Sequence, residues 1–194
     1  MKNAAVIGSP ISHSWSPKIH NYWLRENYIQ GSYGKVELRP DRLANFILGL
    51  RKNNYCGINI TIPHKETASK FCDKLTSNAK ILGAINLLVV KDNLLEGSNT
   101  DGEGFMESFK ENFPGINFSN LSIAIVGAGG AAKSIAYALD QYKPRKISLF
   151  NRNIKKAEDF ITNTGIKANA LELKEINSQQ TLSLIHISEP TRPY

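Results

Sequence analysis

A glycine-rich loop between a predicted strand and a predicted helix restricts the fold of this chain more than any other feature. Residues 121–126 form an apolar run typical of a buried strand, and a helix is predicted to reach about Tyr142. A second strand at 146–150 and a second helix ending near Asn163 complete a β-α-β-α unit, which predicts a parallel sheet. The loop itself consists of Gly127, Ala128, Gly129, Gly130, Ala131 and Ala132.

The loop and its context are typical of a dinucleotide-binding site. Gly127 suits the tight turn, Gly129 lets the backbone approach a pyrophosphate, and Ala132 permits close packing of helix on strand. The N–H groups at the start of the helix can then hold the anion. A turn with a purely structural role is the alternative, but the flanking strand and helix favour binding. We therefore predict a Rossmann-like domain whose loop residues 127–131 bind the cofactor.

The residues after the second strand favour NADP over NAD. An NAD-binding domain usually carries Asp or Glu at this point, which binds the ribose 2′-hydroxyl. This sequence has Asn151, Arg152 and Asn153 instead, with Lys156 a few residues further on. Their amide groups and positive charges suit the 2′-phosphate of NADP, so we predict all four as cofactor-binding residues. A basic helix start on the surface is the alternative explanation.

The first part of the chain predicts a separate α/β domain. Its predicted elements are a strand at 4–8, a helix starting at Ser16-Pro17 with Ile19, Tyr22 and Trp23 on one face, a strand at about 32–38, an amphipathic helix at 41–52, a hairpin at 85–98 and a helix at about 102–112. Pro114-Gly115 then begins a linker. The predicted domains are therefore residues 1–115 and a partial nucleotide-binding domain at 116–180.

A segment of strict alternation carries polar residues suited to chemistry. The three isoleucines of residues 58–62 face one side of a predicted strand, and Asn59 and Thr61 face the other. Pro63 ends the strand, and Lys65 falls in the first turn of the next helix, where positive charge is unfavourable. A broken local rule can mark a functional residue, and a lysine can exchange a proton with an alcohol or carbonyl oxygen. A solvated surface lysine is the alternative.

Two further groups of polar residues stand beside predicted helix starts. Ser14 and Ser16 precede a helix whose N–H groups, with the two hydroxyls, could bind a small carboxylate. On these residues alone, the stronger interpretation is that Ser16 is only the cap of that helix. Asn86 lies on a predicted strand, and Asp101 stands at a later helix start, where it could be a cap or could pair with Lys65.

Taken together, these segments resemble the shikimate dehydrogenase family in order and spacing, from residue 5 to about 160. The motifs are Ser14-Trp15-Ser16-Pro17, the segment Asn59 to Lys65, Gly83-Ala84-Ile85-Asn86, Asn99-Thr100-Asp101-Gly102, the glycine loop 127–132 and Asn151-Arg152-Asn153. Several motifs in register are more specific than any one of them. Asn153 departs from the Thr that the family usually has, and Lys156 keeps the charge but not the fork geometry of the family's Arg.

The resemblance implies a substrate-binding α/β domain followed by an NADP-binding Rossmann-like domain. It implies that Lys65 and Asp101 are the catalytic pair, with Lys65 supplying the proton and Asp101 orienting it. It implies that Ser14 and Ser16 bind the carboxylate of shikimate, and that the ring hydroxyls are held by Thr61, Lys65, Asn86 and Asp101. The implied reaction is the reversible reduction of 3-dehydroshikimate to shikimate with NADPH, on the route to chorismate and the aromatic amino acids.

Other functions stay open on the residues alone. One alternative is a related enzyme that acts on quinate with NAD; a carboxylate after the second strand would favour it, and this sequence has none. Another is a dehydrogenase of a different substrate, and the paired serines argue against it. A non-catalytic protein that binds shikimate or NADP(H) would not need Lys65 and Asp101. The formal net charge of +7 suits anionic ligands, and no basic stripe interleaves with aromatic residues, so we expect no nucleic-acid partner.

Composition indicates the setting of the protein. Hydrophobic residues make up 41% of the chain, enough for a packed core, and no apolar run has the length of a membrane span. Cys56 and Cys72 have neither C-x-x-C nor metal-ligand spacing. We therefore expect reduced thiols, no metal, no membrane partner and a cytoplasmic location without a signal peptide. A homodimer of the full-length form stays open.

Residues 181–194 do not follow the family pattern. A domain of this kind continues with further β-α units, and in the family a last helix supplies a glutamine to the substrate site. The final residues here instead resemble a translated sequencing adapter joined to a truncated gene. We therefore expect a non-family tail, an unpaired sheet edge, and a 194-residue chain that is unstable or inactive as it stands.

Overall fold

Buried strands and amphipathic helices alternate along the chain and build two separate β-sheets. The computed structural model describes residues 2–178 and 183–184. By its internal contacts the chain divides into two compact units, Met1–Thr100 and Asp101–Tyr194. The functional domains expected at 1–115 and 116–180 stay a prediction, because a division by internal contacts does not show which residues work together in function.

The first unit is built on a six-stranded mixed sheet. Its strands are β1 (Lys2–Gly8), β2 (Gly31–Glu37), β3 (Tyr55–Ile60), β4 (Lys74–Leu75), β5 (Leu87–Lys91) and β6 (Leu94–Ser98). Their spatial order is β2-β1-β3-β5-β6-β4. β1 pairs in parallel with β2 and β3, whereas β5 is antiparallel to both β3 and β6. The predicted hairpin is confirmed, and its turn falls at Asp92 and Asn93, which both have positive φ.

This register brings four chain segments to one edge of the first sheet. Ile7 pairs with Ile60, Asn59 with Leu87, and Leu87 with Ser98. The carboxyl ends of β1, β3 and β6 and the amino end of β5 therefore meet at the same edge, because β5 runs against its neighbours. The residues that follow β1, β3 and β6, and the residue that precedes β5, are the ones that carry the predicted substrate site.

Short helices cover the sheet of the first unit. They are α1 (Ser16–Glu26), α2 (Leu43–Gly49), α3 (Lys65–Ala68) and α4 (Ser77–Leu82), with 3-10 turns at Pro40–Arg42, Leu50–Lys52 and Ser69–Phe71. The helix predicted at 41–52 is confirmed, although only its middle is α-helical. Leu43, Ile47 and Leu50 from this segment are buried against Ile58 and the rest of the core.

Two details of this unit differ from what the sequence pattern indicates. β3 ends at Ile60 rather than Ile62, although the next two residues still bond to the segment of β1: the Thr61 N–H donates to the Ile7 carbonyl, and the Ile62 carbonyl accepts from the Ser9 N–H. The face of α1 on which the sequence placed Tyr22 and Trp23 is present but exposed, since these residues are 49% and 53% exposed. Instead, the polar Asn21 binds α1 to β2.

The second unit contains a four-stranded, fully parallel sheet. Its strands are β7 (Ser122–Val126), β8 (Lys146–Asn151), β9 (Asn169–Glu172) and β10 (Ser183–Leu184), in the order β10-β7-β8-β9. Its helices are α5 (Asp101–Asn112), α6 (Gly130–Asp140) and α7 (Ile154–Thr164), with 3-10 turns at Phe118–Asn120 and Leu173–Ser178. The predicted β-α-β-α unit and parallel sheet, and with them the α/β fold class, are confirmed.

Two strands of this sheet were not predicted. β9 follows α7 and pairs with β8, and β10 pairs in parallel with β7 at Ile123 and Ala124. The sheet thus contains two strands beyond those predicted at 121–126 and 146–150. The rest of the predicted tail at 181–194 lies outside the described residues, and its foreign origin stays a prediction.

Close packing of α5 on α6 generates a stability test. A Cβ on Gly102 would lie 2.6 Å from the Ser134 carbonyl oxygen and 2.9 Å from the Ala138 Cβ, whereas a Cβ on Gly104 meets nothing within 4 Å. We expect Gly102→Ala to lower the free energy of unfolding by about 1–3 kcal/mol through overpacking. Gly104→Ala, the matched control in the same helix, should raise it by about 0.5–1 kcal/mol. Urea denaturation measures both, and equal effects would contradict this packing.

Candidate functional site

The turn between β1 and α1 presents two serine hydroxyls at the shared sheet edge. Ser14 Oγ lies 3.2 Å from Ser16 Oγ and accepts from the Ser16 N–H at 3.3 Å. Trp15 occupies the N-cap position and its side chain makes no capping hydrogen bond, so the expected capping role of Ser16 is wrong. The first-turn N–H groups are already used, because that of Lys18 donates to the Trp15 carbonyl and Pro17 has none. The two half-buried hydroxyls at the positive end of α1 are therefore the groups that suit an anion.

Asn86 and Thr100 bring two of the other edge segments together. Asn86 precedes β5 rather than lying on a strand, which corrects the prediction. Its Oδ1 accepts from the Thr100 N–H at 2.9 Å, and its Nδ2 lies 3.0 Å from Thr100 Oγ1. The side chain of Asn86 is thus held in one orientation by the segment after β6.

Lys65 is the first residue of α3, as predicted, and its side chain is half-buried. Its carbonyl accepts from the Ile85 N–H at 2.9 Å, which ties α3 to the segment before β5. The preceding residue, His64, is 1% exposed, and its Nε2 lies 2.6 Å from the Leu38 carbonyl. His64 therefore fixes the start of α3 against the end of β2, and the position of Lys65 with it.

Thr61 and Asp101 occupy the remaining predicted substrate positions. Thr61 directly follows β3, and its Cγ2 is the atom nearest to a Cβ built on Gly8, at 2.5 Å, so the ends of β1 and β3 are in tight contact. Asp101 is the first residue of α5, where a carboxylate is favoured by the helix dipole. Asp101 falls in the second unit, and its expected pairing with Lys65 stays a prediction.

Sequence reasoning missed a polar cluster beneath this edge. Tyr33 on β2 is 7% exposed, and its hydroxyl donates to Asn59 Oδ1 at 2.7 Å. The His20 ring stacks on the Tyr33 ring with centroids 4.1 Å apart. Burial raises the pKa of Tyr33 to about 12 and lowers the pKa of His20, so both groups are neutral near pH 7. Tyr33 and Asn59 lie 26 positions apart, and no local pattern in the sequence links residues at that separation.

The glycine loop of the second unit has the backbone that a dinucleotide site requires. Gly127 has φ 114°, a left-handed conformation that favours glycine, and its N–H donates to the Phe150 carbonyl at 2.8 Å. Gly129 is the N-cap of the eleven-residue helix α6, and Gly130 is its first residue. No side chain caps this helix and no acidic residue lies in its first turn, so the loop residues 127–131 fit a pyrophosphate.

The segment after β8 brings the other predicted cofactor residues to the carboxyl end of the same sheet. Asn151 ends β8, and its Nδ2 donates to the Asn153 carbonyl at 2.8 Å. Asn153 takes the N-cap position of α7, but its side chain makes no capping hydrogen bond. Arg152, Asn153 and Lys156 are exposed. This arrangement fits a phosphate beside the ribose, because two cations and an amide face solvent where an NAD-binding domain has a carboxylate.

Other candidate chemistry is limited in the part of the chain that the structure describes. Cys56 is exposed and Cys72 half-buried; burial, and then the nearby Asp73 carboxylate, raise the pKa of Cys72 to about 11. Among residues 2–178 and 183–184, no group of three His, Cys, Asp or Glu side chains could hold a metal ion. Within the same described ranges, no helix has the length and apolar character needed to cross a membrane.

Comparison with protein families gives two matches that together span most of the chain. Residues 6–88 match the shikimate dehydrogenase substrate binding domain. Residues 107–188 match shikimate / quinate 5-dehydrogenase, so the second match ends inside the predicted tail. The two matched regions contain all the predicted site residues except Asp101.

Curated relatives agree with these matches. The chain is 38% identical over 178 residues to shikimate dehydrogenase (NADP(+)) from Nitrosopumilus maritimus, covering 90% of this chain and 64% of the relative. It is 41% identical over 159 residues to the enzyme of the same name from Mesorhizobium japonicum, covering 81% of this chain and 56% of the relative. The chain therefore spans roughly six-tenths of the length of these relatives.

A solved structure shows the same architecture. The crystal structure of shikimate 5-dehydrogenase from Thermus thermophilus, in complex with NADP(H) and shikimate, superposes with a TM-score of 0.84 at 29% identity. The match covers 97% of this chain and 69% of that one. The fold described above is therefore similar to that of an enzyme crystallised with both ligands.

Proposed function

We propose a function on the premise that this chain belongs to the shikimate dehydrogenase family. The proposed reaction is the reversible reduction of 3-dehydroshikimate to shikimate with NADPH, which serves chorismate and aromatic amino acid biosynthesis. The observation that carries the proposal is the convergence at one edge of the first sheet of three segments, which hold Ser14 after β1, Thr61 and Lys65 after β3, and Asn86 before β5. Each of these segments presents a group that matches a part of this substrate.

The paired serines are suited to the carboxylate of the substrate. Ser14 and Ser16 offer two hydroxyl groups at the start of α1, the end of the helix that carries partial positive charge. Hydroxyl donors beside a positive helix end favour a carboxylate over a neutral group. We therefore assign these two serines to the carboxylate of shikimate.

The groups at the ends of β3 and β6 are suited to the ring hydroxyls. Thr61 offers a donor and an acceptor, and the amide of Asn86 is oriented by Thr100, which lowers the conformational entropy lost on binding. The Lys65 ammonium, a hydrogen-bond donor, and the Asp101 carboxylate, an acceptor, complete the groups proposed to bind the ring hydroxyls. Such a set distinguishes a trihydroxylated ring from an apolar one, because its polar groups would otherwise lose their partners.

Lys65 and Asp101 carry the proposed proton transfer. When bound, NADPH supplies a hydride to the carbon of the 3-carbonyl group. The Lys65 ammonium donates a hydrogen bond to the carbonyl oxygen and then gives it a proton as negative charge develops, which forms the alcohol. Asp101 accepts a hydrogen bond from the same hydroxyl and holds it toward Lys65. His64 contributes indirectly, since its bond to the Leu38 carbonyl holds the start of α3.

The second unit supplies the proposed NADP(H) site. Residues 127–131 and the start of α6 would hold the pyrophosphate, and Asn151, Arg152, Asn153 and Lys156 would bind the 2′-phosphate. We further propose that the protein works in the cytoplasm on small molecules and has neither nucleic-acid nor membrane partners. A homodimer of a longer form is part of the same proposal and can be tested by sedimentation.

Replacing Lys65 tests the catalytic assignment. We expect Lys65→Ala to lower kcat by roughly 10²–10⁴-fold because a general acid is lost, while the Kd of shikimate changes far less. NADPH absorbance with shikimate and NADP⁺ measures turnover, and calorimetry measures binding. Lys70→Ala is the matched control, an exposed lysine of the adjoining 3-10 turn. Normal turnover of the Lys65→Ala variant would contradict the assignment of Lys65 as the general acid.

Replacing Arg152 tests the choice of cofactor. Loss of a charge-assisted contact to the 2′-phosphate should raise the Kd of NADP⁺ by roughly 10- to 100-fold and leave that of NAD⁺ nearly unchanged. Arg145→Ala is the control, because this exposed arginine stands at the opposite end of β8. Titrations of the two cofactors by calorimetry give the comparison, and an equal loss for both would show that Arg152 does not recognise the 2′-phosphate.

A further inference from the structure

Tyr33 is not among the proposed site residues, yet other residues contact its backbone, its ring and its hydroxyl. Asn21 binds both of its backbone groups, donating from Nδ2 to the Tyr33 carbonyl at 2.8 Å and accepting from the Tyr33 N–H at 3.0 Å. The ring of His20 lies nearly parallel to the tyrosine ring, at an interplanar angle of 10°. The tyrosine ring therefore has little freedom, and its hydroxyl points at a single acceptor, Asn59 Oδ1, at 2.7 Å.

This hydroxyl determines how the Asn59 side chain is oriented. The Asn59 carboxamide has an acceptor end and a donor end, and a rotation by half a turn would exchange them. Its Nδ2 donates to the Asn86 carbonyl, but at 3.4 Å this contact is long. The shorter bond from Tyr33 is therefore the one that holds the acceptor end in place and keeps the donor end toward Asn86.

Asn59 in turn contacts the backbone of a proposed substrate residue. The Asn86 carbonyl accepts from the Ile60 N–H at 2.8 Å and from Asn59 Nδ2, so β3 holds the main chain of Asn86. Thr100 holds its side chain from the other direction. A continuous line of contacts therefore runs within the first unit from Tyr33 through Asn59 to Asn86.

The protonation state of Tyr33 suits a permanent donor. Burial raises the pKa of its hydroxyl to about 12, so the group keeps its proton throughout the neutral range. His20, the titratable group stacked on the ring, has its pKa lowered by burial and is neutral there as well. The hydrogen bond to Asn59 is thus a neutral contact whose direction is fixed.

We propose that Tyr33 is a positioning residue of the substrate site, which acts through the Asn59 amide to hold Asn86 in the orientation that binds a ring hydroxyl of shikimate. The inference rests on the proposed function, because it assigns to Tyr33 a share of the affinity for that ligand. It assigns Tyr33 no contact with the substrate and no part in proton transfer.

Calorimetric titration of the chain with shikimate tests the inference, using Tyr33→Phe to remove only the hydroxyl. We expect the Kd of shikimate to rise about 3- to 10-fold, the effect of one neutral hydrogen bond. Tyr28→Phe is the control, since the Tyr28 side chain is 96% exposed. Asn59→Ala, which removes the acceptor instead, should weaken binding at least as much and covers the case in which Tyr33→Phe folds poorly.

A double-mutant cycle separates positioning from a general loss of structure. In an Asn86→Ala background Tyr33→Phe should change the Kd by less than about 2-fold, because the group it positions is gone. A full effect of Tyr33→Phe in that background, or none in the unmodified chain, overturns the inference and leaves the proposed function intact. Failure of the unmodified chain to bind shikimate would instead overturn the proposed function, and the inference with it.

Discussion

The pairing of β3 with both a parallel and an antiparallel neighbour is the constraint on which the first unit depends. β1 runs parallel to β3, and β5 runs against it, so chain segments that enter and leave the sheet meet at one edge. A shift of one residue in this register would turn Ile58 and Ile60 out of the core, where they are 1% and 2% exposed. The apolar alternation therefore fixes the site geometry as well as the fold.

Hydrogen bonds within and around the edge segments then restrict their side chains. Thr100 holds the amide of Asn86, Ser14 accepts from the Ser16 N–H, and His64, the residue before Lys65, is bound to the Leu38 carbonyl. None of these bonds joins residues of the same strand. The site is thus assembled from loops, and the buried sheet beneath them supplies the rigidity, a division of labour common in α/β proteins.

The sequence predicts those features of the molecule that depend on local pattern. The alternation at 58–62 predicted β3, the glycine loop predicted the β7–α6 turn, and the amphipathic spacing at 41–52 predicted α2. Prediction failed at Ser16, whose expected cap is absent, and the sequence did not reveal that Tyr22 and Trp23, which share one face of α1, are exposed. Hydrophobic spacing does not show which side of α1 packs on the sheet, because the polar Asn21 makes the contact with β2.

Long-range polar contacts could not be predicted from the sequence either. Tyr33 and Asn59 meet only because β1 lies between β2 and β3 with a defined register, and β9 and β10 are too short for a clear periodic signal. The candidate residues, by contrast, came mainly from a resemblance among motifs. The structure explains why these motifs are spaced as they are along the chain. In the first unit each motif lies next to the end of β1, β3 or β6, or next to the start of β5, and these points meet at the same edge.

The most direct test of the central claim is a titration of the ¹⁵N-labelled chain with shikimate alone, followed by amide chemical shifts. If the shared sheet edge is the substrate site, the largest shifts will fall on Ser14, Ser16, Thr61, Lys65 and Asn86, and the glycine loop will not respond until NADP⁺ is added. Shifts centred elsewhere in the first unit, or no shifts at millimolar shikimate, would contradict the claim that this edge binds the substrate.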